Sequence, residues 1–170
     1  MKKKFTALAI LILLTLTAFG QTVEEYRKSA ETKYSEQNFK GAIKDYNLAL
    51  KEYDKDIDLY INRGLCYLAL KKDCSAMTDF TKVIKIDATY PKAYYYRATI
   101  YFAQKRYSKA LKDLNNALEL DVTIPNALTL RGRTKYELGD KEGAFEDFKT
   151  AVQIGDKEAK KLLQEYGAAK

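Results

Sequence analysis

The chain has 170 residues, 46% of them apolar and 31% charged, which is enough for one domain or a short repeat array with a buried core. Its 30 basic residues exceed its 23 acidic ones by seven, and three of the lysines stand within the first four positions. With no histidine and only two cysteines, histidine-based triads, histidine-bearing zinc sites and disulfide scaffolds are excluded, which argues against most enzyme chemistry.

The first segment, residues 1–20, has the layout of a secretory signal peptide. Three lysines precede an uncharged apolar run over 5–19, which at about 15 residues is shorter than the roughly 20 that a membrane-spanning helix needs. Ala18 and Gly20 supply small side chains at three and one residues before a cleavage point, which predicts a mature chain beginning at Gln21. We therefore expect an exported protein without a stable membrane span after cleavage, located in the periplasm, associated with the cell envelope, or secreted.

The rest of the chain follows a period of 34 residues. An alanine recurs at this spacing, with a bulky residue four positions later and a small one, alanine or valine, three positions after that. The three sets are Ala42, Ala76, Ala110 and Ala144; Tyr46, Phe80, Leu114 and Phe148; and Ala49, Val83, Ala117 and Ala151. Offsets of four and seven place the three residues on one face of a helix. Another small residue stands twelve positions before each alanine: Ala30, Gly64, Ala98 and Gly132. Each period therefore predicts two helices that touch where side chains are small.

The periodicity predicts helices throughout residues 23–166, with turns at fixed intervals. In chain order we expect them at about 23–36, 39–53, 57–70, 73–86, 91–104, 107–120, 125–138, 141–154 and 157–166. Asn38 and Asp140 are suited to cap the helices that follow them. The last helix carries Ala159, Leu162, Leu163 and Tyr166 on one stripe and lysines on the other, as expected of a helix that covers the end of an array.

This pattern resembles the tetratricopeptide repeat family over four units, residues 23–56, 57–90, 91–124 and 125–158. Units two and three also carry the family's aromatic pattern in the first helix, as Tyr60, Gly64 and Tyr67 and as Tyr94, Ala98 and Tyr101. Unit one departs from it at Ser29 and Lys33, and the family's proline at the end of the second helix is replaced by Pro91 and Pro125 at the start of the next helix. The resemblance implies an all-α fold, an α-α superhelix of four helix-turn-helix repeats, with residues 157–166 as a C-terminal capping helix.

Arginines and aspartates also recur at the 34-residue period. Because each arginine and aspartate lie about equally far from the turn that joins two antiparallel helices, we expect Arg63 to meet Asp79, Arg97 to meet Asp113, and Arg131 to meet Asp147. This structural interpretation competes with a ladder of free arginines for phosphates or nucleic acid. The two cysteines, Cys66 and Cys74, are placed poorly for a disulfide, so we expect two free thiols, one of them buried, with a bridge as the alternative.

In a superhelix of paired helices, the first helix of each repeat lines the concave side, so its face away from the partner helix predicts a groove. The groove residues predicted to bind a peptide are Ile61, Asn62, Leu65, Lys92, Tyr95, Tyr96, Thr99, Phe102 and Arg133. Further residues, Arg27, Lys28, Tyr34, Thr129 and Tyr136, extend it at its two ends. Aromatic anchors within a polar rim are typical of interface hot spots. The alternative is that these side chains only pack on one another.

Repeat domains of this family that act as chaperone adaptors hold a C-terminal carboxylate with Lys, Asn and Arg side chains. Asn62 and Lys92 match two of these positions, and Arg27 is a conservative substitute at a third. Glu31 and Tyr96 stand where an amide and a base are needed. The resemblance therefore implies an incomplete carboxylate clamp.

The sequence predicts a non-catalytic, exported scaffold that binds a protein or peptide segment in an apolar and aromatic groove. The alternative is a structural subunit of an envelope assembly, or a module that self-associates, with no peptide ligand in the groove. No group of catalytic residues interrupts the 34-residue pattern, and no cofactor or metal is implied. Nucleic-acid binding is disfavoured because acidic residues are interspersed among the basic ones. The partner's identity and the oligomeric state are left open.

Overall fold

The computed structural model describes residues 22–124 and 126–167. The predicted signal peptide at 1–20 and Pro125, which we expected to open a helix, lie outside the described residues. In the described part every regular element is an α-helix. The helices are α1 over 22–35, α2 Phe39–Glu52, α3 Ile57–Ala69, α4 Asp73–Ile86, α5 Pro91–Ala103, α6 Tyr107–Leu120, α7 Ala127–Glu137, α8 Lys141–Gln153 and α9 Lys157–Gly167. Eight of them begin and end within one residue of the sequence prediction.

The exception is α7, which begins two residues later than predicted. Asn126 has a φ of 62°, in the left-handed region, so the helix begins only at Ala127. The sequence prediction placed the start at Pro125 because proline is favoured in the first helical turn, and α5 does begin with Pro91 in that position. The left-handed residue after Pro125 delays the helix instead.

The turns inside the helix pairs share one backbone conformation. Four residues spaced by 34, Gln37, Lys71, Lys105 and Gly139, have φ angles of 59°, 56°, 57° and 88°. In the first and last of these turns the next residue caps the following helix. Asn38 accepts a hydrogen bond from the Gly41 amide at 3.1 Å, and Asp140 accepts one from the Gly143 amide at 2.9 Å. The predicted turns and both predicted caps are confirmed.

The helices pack where the sequence places small residues. All four periodic alanines, Ala42, Ala76, Ala110 and Ala144, are fully buried, as are Phe80, Leu114 and Phe148. A Cβ atom built on Gly132 would stand 2.6 Å from a ring carbon of Phe148, so only glycine fits there without movement of the ring. The close helix contacts therefore depend on small side chains.

The helices form two compact units, one ending at Asp79 and the other beginning at Phe80. Repeat 1 consists of α1 and α2, repeat 2 of α3 and α4, repeat 3 of α5 and α6, and repeat 4 of α7 and α8. In the second unit α9 packs on α8, and Ala159 is completely buried in a cluster with Leu118 and Leu128. Within the described ranges, no helix combines the length and the apolar character needed to cross a bilayer.

Candidate functional site

The periodic arginines are bound by the aspartates of the second helix in the same repeat. Each guanidinium group donates two hydrogen bonds, from Nε and Nη2, to the two oxygens of one carboxylate. The pairs are Arg63 with Asp79, Arg97 with Asp113 and Arg131 with Asp147, with N to O distances between 2.6 and 2.9 Å. The aspartates are 2 to 4% exposed, and hydrogen bonding to Asp113 raises the pKa of Arg97 above its ordinary value. The structural interpretation of the arginines is thus confirmed.

Each of these arginines also reaches the second helix of the preceding repeat. The Nη1 atom of Arg63 donates to Asn47 Oδ1 at 2.7 Å, and that of Arg97 lies 3.3 Å from Thr81 Oγ1. Arg131 repeats the contact with Asn115. Each of these three guanidinium groups therefore links three helices. The sequence predicts only the pairs within a repeat.

Repeat 1 lacks the periodic arginine, so two other side chains bind its buried aspartate, Asp45. Ser29, at the arginine position, donates to Asp45 at 2.6 Å, and the Lys33 ammonium pairs with the same carboxylate. Burial raises the pKa of Asp45, but the hydrogen bonds from Lys33 and Ser29 outweigh that effect and leave it below its usual value. The two departures from the family pattern thus compensate each other.

In the first unit, the predicted groove residues are only partly open. Ile61 is 6% exposed and therefore buried, whereas the sequence predicts that it faces a ligand. Asn62 and Leu65 are half-buried. Arg27, expected to offer a positive charge, is ion-paired with Asp56. The apolar surface on α3 is therefore smaller than predicted, because the α3 face that carries Ile61 is covered.

In the second unit, the predicted groove residues of α5 form an aromatic cluster. The ring of Tyr96 stacks on Phe80 with centroids 5.3 Å apart, and Tyr95 lies 5.5 Å from Tyr96. Tyr95 also packs against the apolar cluster that contains Leu128, and burial raises the pKa of its phenol. Both tyrosines nevertheless retain part of their surface to solvent. The structure therefore supports mutual packing and partial exposure together.

The other predicted groove residues of the second unit lie on α5 and α7, and Arg133 of α7 also contacts α9. The guanidinium carbon of Arg133 lies 4.9 Å above the ring of Phe102, and Arg133 pairs with Glu158 at 3.3 Å. Thr99 is half-buried and donates its hydroxyl to the Tyr96 carbonyl, while Lys92 is exposed. Contacts with Phe102 and Glu158 thus fix the position of Arg133, and the side chains of Arg133 and Glu158 both remain partly exposed.

Thr129, expected at the end of the groove, is instead 2% exposed. Its hydroxyl donates to Asp156 Oδ2 at 2.6 Å, while Asp156 Oδ1 accepts from the amides of Glu158 and Ala159. Burial raises the pKa of Asp156, but these hydrogen bonds reverse the effect and lower it. Asp156 therefore caps α9 and fixes it to α7. A capping residue before Ala159 was recognisable in the sequence, but its contact with Thr129 was not.

The cysteines are unpaired, as expected. Cys66 is buried and Cys74 exposed, and burial raises the pKa of Cys66 to about 11. The described residues contain no cluster of three or more cysteine, aspartate or glutamate side chains suited to a metal ion.

A depression outside the predicted groove lies mainly on repeat 3. It has a volume of about 420 Å³ and is lined by Tyr94, Arg97, Tyr101, Lys109 and Lys112, among others. The signal that could have revealed it is the departure of Lys109 and Lys112 from the residues at the same positions in repeats 2 and 4.

Two adjacent stretches match the tetratricopeptide repeat, residues 57–90 and 91–123. The Hsp70-Hsp90 organizing protein of Triticum aestivum is 34% identical over 71 residues, which are 42% of this chain and 12% of that protein. Serine/threonine-protein phosphatase 5 of Rattus norvegicus is 26% identical over 144 residues, 84% of this chain and 22% of that protein. The chain therefore spans only a small part of the length of these relatives.

The fold has solved counterparts. The first tetratricopeptide repeat domain of Spaghetti (RPAP3), solved with an HSP90 peptide bound, has a TM-score of 0.67 at 24% identity and covers 70% of this chain and 94% of that one. The likeness confirms the predicted fold class, an all-α structure of the α-α superhelix type. The tandem matches show that residues 57–123 are two repeats of the tetratricopeptide repeat family.

Proposed function

We propose that this chain is a non-catalytic interaction module whose second unit binds an extended or helical segment of another protein. The binding residues are those of α5 and α7: Lys92, Tyr95, Tyr96, Thr99, Phe102 and Arg133. The observation that carries the proposal is the partly exposed aromatic cluster on α5, with Arg133 over Phe102 at its edge. Aromatic rings beside an arginine are the side chains that most often dominate protein interfaces.

The repeats themselves support this assignment. The framework positions carry the same residue types in each repeat, but the opposite face of the first helix does not. Tyr95 corresponds to Arg27, Ile61 and Thr129 in the other repeats, so the repeat pattern does not call for an aromatic ring there. Tyr95 packs against the cluster around Leu128 and is also partly exposed, and a partly exposed aromatic ring is suited to recognise a ligand.

The relatives favour a protein ligand. One is named Hsp70-Hsp90 organizing protein, and a solved domain of the same fold has an HSP90 peptide bound. The carboxylate clamp of chaperone adaptors is not proposed for this chain, because Arg27 is occupied by Asp56 and Glu31 would repel a carboxylate.

The experiment is affinity capture from the native cell envelope with the wild-type chain and with Tyr95→Ala plus Phe102→Ala. We expect one or more proteins to co-purify with the wild type and to be lost with the variant. Tyr53→Ala plus Leu120→Ala is a matched control, because both residues are more than two fifths exposed and lie elsewhere. Equal recovery of every partner by the wild type and the Tyr95 variant would remove this surface from consideration.

The second candidate is a module that self-associates or a structural subunit without a groove ligand. Light scattering of the wild type and of the Tyr95 and Phe102 variant separates the two functions. A dimer that dissociates in this variant, with no co-purifying protein, would favour self-association. A monomer in both would leave the hetero-interaction.

Export is the remaining part of the proposal, and it rests on the sequence of residues 1–20. N-terminal sequencing of the chain recovered from its native cells tests it. We expect the mature chain to begin at Gln21 in the wild type. Replacing Ala18 and Gly20 by bulky residues should block this cleavage. A wild-type chain that still begins at Met1 would contradict it.

A further inference from the structure

We propose that the depression on repeat 3 binds an acidic segment of a partner protein through Lys109 and Lys112. The site lies on a different face of α5 from the groove residues: Tyr94, Arg97 and Tyr101 line it, whereas Tyr95 and Thr99 do not. The proposal does not depend on the groove, because the two surfaces share no residue.

The charge balance of the depression is positive. The carboxylate among its lining residues, Asp113, already accepts hydrogen bonds from the Nε and Nη2 atoms of Arg97. Lys109 and Lys112 are exposed, and within the described residues neither ammonium lies within ion-pairing distance of a carboxylate. Arg106 adds a third cation, 4.8 Å from the centre of the Tyr101 ring. The site therefore presents three positive charges, none of which is ion-paired with a carboxylate of the described residues.

The fold does not require these lysines. In repeat 2 the same two positions are Ser75 and Thr78, and in repeat 4 they are Gly143 and Glu146. Repeats 2 and 4 nevertheless form the same arginine and aspartate pairs as repeat 3. Repeat 1 has Gly41 and Lys44 at these positions, so the pair of lysines occurs in repeat 3 alone among the four repeats. The pair is thus a local feature added to a common framework, as expected of a recognition site.

The chemistry favours carboxylates over nucleobases. The ring of Tyr101 already has the cations of Arg97, Arg106 and Lys109 within 6 Å of its centre, so it is not a free platform for base stacking. The Tyr94 hydroxyl donates to the Ala88 carbonyl at 3.1 Å. An extended peptide with several acidic side chains offers a carboxylate to each of Lys109, Lys112 and Arg106, whereas a single small anion offers one charged group.

The test is fluorescence anisotropy with labelled hexaglutamate at low ionic strength, using the full mature chain. The variant Lys109→Ser plus Lys112→Thr installs the residues of repeat 2 and should therefore fold normally. Lys160→Ser plus Lys161→Thr on α9 removes the same charge from exposed positions elsewhere. We expect the first variant to bind about tenfold more weakly than the wild type and the second to bind within about twofold of it. Tyr95→Ala plus Phe102→Ala should leave hexaglutamate binding unchanged.

Several outcomes would overturn the proposal. Equal weakening in both lysine variants would mean unspecific attraction to net charge. Displacement of hexaglutamate by inorganic phosphate at equal concentration would indicate a small-anion site. Tighter binding of a single-stranded oligonucleotide, lost in the Lys109 variant, would indicate nucleic acid. No binding of hexaglutamate by the wild type would exclude an acidic peptide.

Discussion

At the scale of single residues, the charge of Arg97 has a structural role, because contacts within the protein already use its guanidinium group. Its guanidinium group is fixed by both oxygens of Asp113 and touches Thr81 on the preceding helix. Asp113 is 3% exposed, so removal of its partner would leave a carboxylate largely out of water. Because a single substitution leaves one buried partner unpaired, it costs more free energy of unfolding than removal of both partners.

Substitution of this pair should therefore be non-additive. We expect Asp113→Asn to lower the free energy of unfolding by about 1.5 to 3 kcal/mol, because a charged hydrogen-bond acceptor is lost. Arg97→Met should cost at least as much, and Arg97→Met combined with Asp113→Leu should cost less than the sum of Arg97→Met and Asp113→Leu made singly. Urea unfolding of the wild type, Arg97→Met, Asp113→Leu and the double variant gives the coupling free energy. Additive costs would show that the pair contributes little beyond its surroundings.

The two thiols should differ in reactivity. Burial raises the pKa of Cys66 to about 11, so at pH 8 almost none of it is the reactive thiolate, and the folded chain also covers it. We expect a thiol reagent at pH 8 to modify one cysteine in the native protein and two in denaturant. In Cys74→Ser the native count should fall to zero. Fast labelling of Cys66 in folded protein would contradict its burial.

At the scale of helices, the size of one residue is matched to its neighbour across the pair. In repeat 4 the second helix carries Phe148, and the first helix has a glycine, Gly132, against its ring. In repeat 3 the second helix carries Leu114, and the first helix has Ala98. The exchange keeps the packed volume similar in repeats of different sequence.

This matching predicts a rescue. Gly132→Ala places a methyl group 2.6 Å from Phe148, so we expect it to lower the free energy of unfolding by about 1 to 3 kcal/mol. Phe148→Leu in the same chain should recover part of that loss, because it recreates the Ala98 and Leu114 combination. Thermal unfolding measures both. If Phe148→Leu lowers the midpoint equally with and without Gly132→Ala, the two positions do not compensate.

The helices were predictable because their signal is repeated four times, whereas side-chain exposure was not. The periodic alanines locate each helix crossing, and the turn residues recur at Gln37, Lys71, Lys105 and Gly139. Thr129, for example, is 2% exposed and binds Asp156, a residue 27 positions away in sequence. A repeat pattern records only the spacing of residues along the chain, so it cannot predict contacts between side chains that are distant in sequence.

At the scale of the whole molecule, a repeat array has to cover the apolar face of its last helix pair. In the second unit this role falls to α9. Tyr166 stacks on Tyr136 with centroids 4.1 Å apart and also meets Phe148, while Lys157, Lys160 and Lys161 are exposed. Without α9, these rings and the cluster around Leu128 would face water.

Removal of residues 157–170 should therefore destabilise the second unit and expose an apolar surface that favours association. We expect a loss of about 2 to 4 kcal/mol in unfolding free energy, from the ring contacts of Tyr166 and the apolar surface around Ala159. Urea unfolding measures the loss, and light scattering should detect association of the shortened chain, since exposed apolar patches aggregate. A chain lacking only residues 168–170 is the control and should behave as wild type. If the chain without 157–170 stays monomeric with an unchanged midpoint, α9 is an appendage and another element must cover α7 and α8.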